Sequence, residues 1–186
     1  MKCPSVVILF FLALFLSVSG LSAQEKELIV LKNADVLSGR SVNGEDVREF
    51  TGNVHLVQGN VHVWCEHAVQ HLAKNEVELI GKVKVVRDTI TLTAKKGMYY
   101  GDTKKAVCEG GVRLETKHVV LLADFGTYFT QEKKAFFHKN VRVIDSTTTI
   151  SSDELTYFEK ERKSIAVRDV KVVNAANNVQ MFGEYL

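Results

Sequence analysis

Valine recurs at Val54, Val83, Val112, Val141 and Val170, every 29 residues, with no insertion or deletion between copies. Two residues after each comes another aliphatic side chain: Leu56, Val85, Leu114, Val143 and Val172. Nine residues after stand Val63, Leu92, Leu121, Ile150 and Val179. Eleven after are the small residues Cys65, Ala94, Ala123 and Ser152, and sixteen after are Gln70, Tyr99, Tyr128 and Tyr157. A fixed period of this length constrains the fold more than any composition does. Each copy is one supersecondary unit that cannot bury its own apolar face and must stack on its neighbours.

Within a copy the apolar residues alternate. Val83, Val85, Ile90, Leu92 and Ala94 share one face, and Lys84, Thr91, Thr93 and Lys95 the other. A period of two predicts half-buried strands rather than helices, and the β-branched and aromatic residues filling these runs suit strands. Polar links follow at fixed places, such as Arg87-Asp88 and Gly101-Asp102-Thr103 in one copy, Thr116-Lys117 and Gln131-Glu132-Lys133 in the next. One copy is therefore two strands and two turns. The inward phase changes parity between the small residue and the tyrosine, which predicts a bulge or bend in the second strand. The expected fold is all-β, a solenoid-like stack of two-strand repeats.

Residues 1–23 open with Lys2, continue through an apolar run from Val6 to Val18 and close on Ser19-Gly20-Leu21-Ser22-Ala23, the plan of a secretory signal peptide. The apolar run is shorter than the ~20 residues of a spanning helix. Residues 24–186 are expected to form a single domain, with 23 basic and 22 acidic residues. That balance argues against nucleic acid as a partner. The only proline, Pro4, lies in the leader, which leaves the rest free for an unbroken strand ladder. Glu25 to Leu37 reads as half of an earlier copy, joined to the rest by a turn containing Asn43-Gly44, a strong hairpin signal.

Sites of chemistry are sparse. His55, His62, Cys65, His67 and His71 cluster in the first copy, but their spacing fits no metal motif, and alternation puts His62 opposite Cys65. No metal or other cofactor is expected. Cys65 and Cys108 occupy apolar or small positions of the repeat, as buried thiols would, although an exported compartment permits a disulfide. No nucleophile elbow, phosphate loop or inward carboxylate pair is present, so the chain reads as a non-enzyme. His55, Lys84, Arg113, Arg142 and Lys171 form a basic column one residue after each leading valine. Alternation points them outward, away from any trough, which favours a solvated face that also discourages edge pairing over a strip meeting the phosphates of a glycolipid. The inward residues by themselves fit either a closed core or an apolar trough.

The segment from Leu31 to Leu56 carries Ala34-Asp35, Asn43-Gly44 and Gly52-Asn53-Val54 in order. "GKVKV", "LTAKKGMYY", "GGVRLE" and "LLADFGTYF" follow it. In this series the chain resembles the LptA/OstA family of periplasmic lipopolysaccharide-transport proteins, over essentially all of residues 25–186. It departs from the family pattern at Cys65 and His67, and where Lys139 and Arg168 replace glycine. The resemblance implies a twisted β-jelly roll, open along one side, that holds the acyl chains of lipopolysaccharide or a similar lipid. The lining would be the inward residues of the first four copies, from Val54 and Leu56 through to Ile150 and Tyr157. Each buried methylene contributes ~0.8 kcal/mol, ample for several chains. A closed structural scaffold and a membrane-anchored LptC-like relative that keeps residues 1–23 are the rival readings.

The ends are strand-like. Leu28, Ile29 and Val30 open the repeat region, and Val179, Met181 and Phe182 are still following the repeat where the sequence stops. Repeat folds ordinarily cap such ends. Uncapped edges predict strand addition, either head-to-tail between copies or onto other β-jelly-roll transport components.

Overall fold

The computed structural model describes residues 29–42 and 44–186, so residues 1–23, Leu28 and Asn43 lie outside the described residues. Its regular structure is entirely β. The strands are β1 (Val30–Asn33), β2 (Val36–Val42), β3 (Glu45–Gln58), β4 (Val61–His71), β5 (Glu76–Arg87) and β6 (Ile90–Tyr100). There follow β7 (Lys105–Glu115), β8 (Val120–Phe129), β9 (Lys134–Ile144), β10 (Thr148–Phe158), β11 (Lys163–Asn174) and β12 (Val179–Tyr185). All belong to one antiparallel sheet in which β3 to β12 pair in sequence order. β1 and β2 share the outer side of β3, with Leu31 opposite Leu56 and Val36 opposite Thr51. The sheet does not close, because β12 never pairs with β1 or β2. The stack of two-strand repeats is thus present, as an open sheet.

Hairpin turns alternate between two margins. Those after β3, β5, β7 and β9 lie on one; those after β4, β6, β8 and β10 lie on the other. Strands β3 to β11 run from margin to margin and bend midway, and the bend has a local cause. Two successive residues with positive φ recur at the repeat period: Gly52-Asn53 (75°, 46°), Gly81-Lys82 (76°, 46°), Gly110-Gly111 (84°, 81°), Lys139-Asn140 (62°, 54°) and Arg168-Asp169 (64°, 48°). Thr51 pairs with His67 and Val54 with Cys65, so Gly52 and Asn53 face Glu66 alone. The extra residue therefore sits in the first strand of each unit, not the second as the alternation suggested. The parity change does occur in the second strand, where Cys65 and Ala68 are both buried, but opposite a bulge carried by its neighbour.

An outward side chain of the preceding strand ties several of these bulges down. Asn53 donates to Asp35 at 3.0 Å, Lys82 meets Glu66 at 2.7 Å, and Asn140 donates to Asp124 at 2.8 Å. Arg168 pairs with Glu154 in the last. Ala34-Asp35, Cys65-Glu66 and Ala123-Asp124 thus share one role, the small residue facing in and the acid clasping the next bulge, whereas Ala94 is followed by Lys95 and the last clasp comes from Glu154. In the first copy Glu66, not His67, takes the acid's place.

The sheet folds over along the line of bulges, and its inner faces pack there. Val54, Val83, Val112 and Val141 are 0–1% exposed and form the bottom of the crease. Around them lie Ala68, Leu79, Ala94, Ala123, Phe137, Leu155 and Ala166. Small residues dominate because the two limbs converge there. Away from the crease the limbs separate. Among the described residues only sheet neighbours bring Cα atoms within 8 Å of each other, as expected for layers held apart by side chains.

Candidate functional site

Above the crease the inner faces diverge into a trough whose two walls differ. One wall, next to the turns after β3, β5, β7 and β9, is aliphatic: Val63, Val85, Leu92, Leu114, Val143 and Ile150 are half-buried. Tyr99 and Tyr128, also half-buried, stand on the opposite wall, where Tyr157 is exposed. The inward set read from the repeat therefore divides. Val54, Leu56, Val83, Val112, Leu121 and Val141 are buried in the floor; of the other nine, eight are half-buried and pack against that core, and Tyr157 is exposed.

At the front end the trough widens into a cavity of about 270 Å³ lined by Ile29, Leu31, Leu37, Phe50, Leu56 and Val77, with Arg48 and Gln70 as its polar members. Leu31 and Leu37 were not singled out in the sequence, because the opening half-repeat runs out of register with the 29-residue period; Arg48, which is in register with Val77, was not singled out either. Phe50 left a signal, since it stands four residues before Val54, as Leu79 does before Val83 and Phe137 before Val141.

Both ends expose apolar side chains. Ile29, Val30, Val36 and Leu37 are exposed at the front, and Val179, Met181, Phe182 and Tyr185 at the back. β12 pairs with β11 on one side only. Met181 lies opposite the buried Val172 and so prolongs the inner face, whereas Phe182 lies opposite Lys171 and faces outward beneath its ammonium, 5.3 Å from the ring centre.

The outer face is polar, as alternation required. Lys84, Arg113, Arg142 and Lys171 are exposed. On this face Trp64 stacks with His55 at 4.6 Å and carries Lys84 on its ring at 5.7 Å. His62 Nδ1 lies 3.1 Å from His55 Nε2. Desolvation, then His62 and Lys32, hold the His55 imidazole below its ordinary pKa. Among the described residues no three His, Cys, Asp or Glu side chains converge on a metal-sized site. Cys65 and Cys108 are free thiols, and burial pushes each up to about 11.

One polar cluster crosses the opening of the trough. Arg87, at the end of β5, donates to Tyr128 Oη and to Glu159 Oε2, each at 3.3 Å. The Tyr128 hydroxyl donates to the same carboxylate oxygen at 2.8 Å, and Lys133 Nζ stands 3.9 Å from the other. Burial alone would raise the Glu159 pKa, but Tyr128, Arg87 and Lys133 outweigh it and hold the carboxyl below its ordinary value.

Residues 26–181, nearly the whole strand ladder, match the family described as OstA-like protein. The chain belongs to the OstA-like family. Its fold is also that of a solved relative, the crystal structure of LptH from Pseudomonas aeruginosa. LptH is described as the LptA homologous periplasmic component of the conserved lipopolysaccharide transport device. The two superpose with a TM-score of 0.54 at 16% sequence identity, over 58% of this OstA-like chain and 82% of LptH. No curated protein matches the sequence.

Proposed function

We propose that this OstA-like protein is a non-enzymatic periplasmic carrier that holds the acyl chains of lipopolysaccharide or a related glycolipid in its trough, as one segment of a transport bridge to the outer membrane. The observation that carries this reading is the graded inner face. A fully packed crease fixes the shape, and beside it nine inward residues, most of them apolar, pack on that core yet stay partly accessible along an open, unclosed sheet. Transfer of acyl chains onto such a surface is favourable by area alone, and a passive wall needs no catalytic group. The role of LptH in a lipopolysaccharide transport device, on the same fold, supports this choice of lipid. Export fits the leader-like residues 1–23, and N-terminal sequencing of the purified protein tests whether they are removed.

The exposed apolar rungs at both ends support the bridge. Strand addition at β12 or β1 would pair the edge backbone groups that no strand among the described residues pairs, and would extend the trough into a neighbour. Such a contact is heterologous and need not close.

A photo-crosslinking amino acid at Leu114 in living cells tests the carrier reading against one at Arg113. Capture of lipid at Leu114 and not at Arg113 is expected. Capture at Arg113 alone would reverse the assignment of faces. The packed crease favours one rival, a structural scaffold with a dry interior, and absence of lipid at Leu92, Leu114 and Ile150 alike would establish it.

A further inference from the structure

The cluster of Arg87, Tyr128 and Glu159 joins the two margins. Arg87 precedes the turn after β5, while Glu159 lies in the turn after β10 and Tyr128 near the turn after β8. Four strands separate β5 from β10 in the sheet, so the 3.3 Å contact between Arg87 and Glu159 runs across the opening and not along the ladder. The repeat does not call for this pair. At the position of Arg87 the other copies carry Gln58, Thr116, Asp145 and Asn174; at that of Glu159 they carry Leu72, Gly101 and Thr130. Arg87 is the one cation of its column, and Glu159 the one acid of its own.

Its surroundings suit an anionic head group. Val85 precedes Arg87 by two residues on the same inner face and pairs with Leu92, so an acyl chain on these side chains would leave its head at the margin. There the guanidinium presents a fork that matches carboxylate or phosphate oxygens. Glu159 occupies that fork, and the two side chains are 29% and 31% exposed. An ion pair so open to water contributes little net stability, which lets another anion exchange with it.

We propose that Arg87 is the head-group receptor of the trough and that Glu159 is its intramolecular stand-in. A single-chain anionic amphiphile takes Arg87 from Glu159, and in doing so it unlatches the two margins. The inference rests on the acyl-chain reading given above and adds to it a charge preference and a gate.

The test uses the purified full-length protein with dansyl-undecanoate, which has an anionic head, and its methyl ester, which has none. Glu159→Gln should bind the carboxylate several-fold more tightly than wild type, and Arg87→Gln several-fold more weakly. Arg87→Lys, which keeps the charge without the fork, should fall between Arg87→Gln and wild type. Both Gln variants should bind the ester at least as well as wild type, because each opens the latch and neither loses a head-group contact. Equal carboxylate affinity in all the proteins would overturn the proposal while leaving the trough intact. So would a loss in Arg87→Gln shared by the ester. Failure of wild type to bind either probe would instead remove the acyl-chain reading and the latch with it. Circular dichroism melts identify any variant that does not fold, and Glu159→Gln and Arg87→Lys each decide the matter alone.

Discussion

The ring of Phe137 lies under Gly126, 3.1 Å from where a Cβ on that glycine would stand, with Val112 at 3.4 Å behind it. The equivalent Gly97 faces Leu79 at an ordinary 3.5 Å. Gly126→Ala is therefore expected to overpack the crease and cost on the order of 1–3 kcal/mol, while Gly97→Ala should be neutral or slightly stabilising. Phe137→Ala, which empties the same place, should cost about 3–5 kcal/mol. Urea unfolding midpoints of the three variants check the order, and equal effects of the two alanines would show that the crease is not so tightly packed.

Lys139 holds at φ 62° a conformation that glycine adopts in three of the five bulges. A left-handed conformation costs an L side chain roughly 1–2 kcal/mol. The Lys139 ammonium, 5.4 Å from the Phe125 ring centre, returns part of that. Lys139→Gly should leave the melting temperature unchanged or raise it slightly. Gly52→Ala combines positive φ with a clash on Asp35 and should lower it. A fall in both would mean that the lysine contributes more than its backbone costs.

Glu159 supplies the pH dependence of the latch. Its folded pKa is depressed, so its contribution is fully present above the ordinary carboxylate pKa of 4.5 and is lost as pH falls through the lower folded value. Arg87, Tyr128 and Lys133 face it, and Arg87 and Tyr128, whose pKa values are raised, stay protonated throughout that window. Stability measured below about pH 4.5 should therefore decline more steeply in wild type than in Glu159→Gln, with matching slopes near neutrality. Parallel curves over the whole range would show that the carboxylate contributes nothing.

Val85 and Arg113 lie on opposite faces. Val85→Asp puts an uncompensated carboxylate on the trough wall, where desolvation penalises it, and it is expected to weaken lipid binding far more than Arg113→Asp. Leu121→Asp should also abolish binding, but by unfolding, because Leu121 belongs to the buried floor. Binding and thermal melts measured together separate the two causes. Similar binding by Val85→Asp and Arg113→Asp would refute the trough.

At the back edge, Met181 pairs with Val172, and Phe182 is 72% exposed. Met181→Pro removes a backbone donor and distorts β12, and deletion of Val179–Leu186 removes the strand. Either should reduce concentration-dependent association in analytical ultracentrifugation while the central rungs keep their circular dichroism. A protein that is monomeric at every concentration, with or without β12, would rule out head-to-tail assembly through this edge.

The order of strands and turns and the face each residue presents were written in the sequence by its 29-residue period, because alternation and turn chemistry are local. The same period placed Val54, Val83, Val112 and Val141 on the inner face. It did not distinguish floor from wall. That distinction depends on how far the sheet folds over at each bulge, and hence on paired positive φ at residues such as Lys139 and Arg168, whose side chains give no glycine-like signal. The contact of Arg87 with Glu159 was illegible for a related reason. The two residues are 72 apart and occupy unrelated places in the repeat, so only the bend and twist of the folded sheet bring the margins close enough for them to meet.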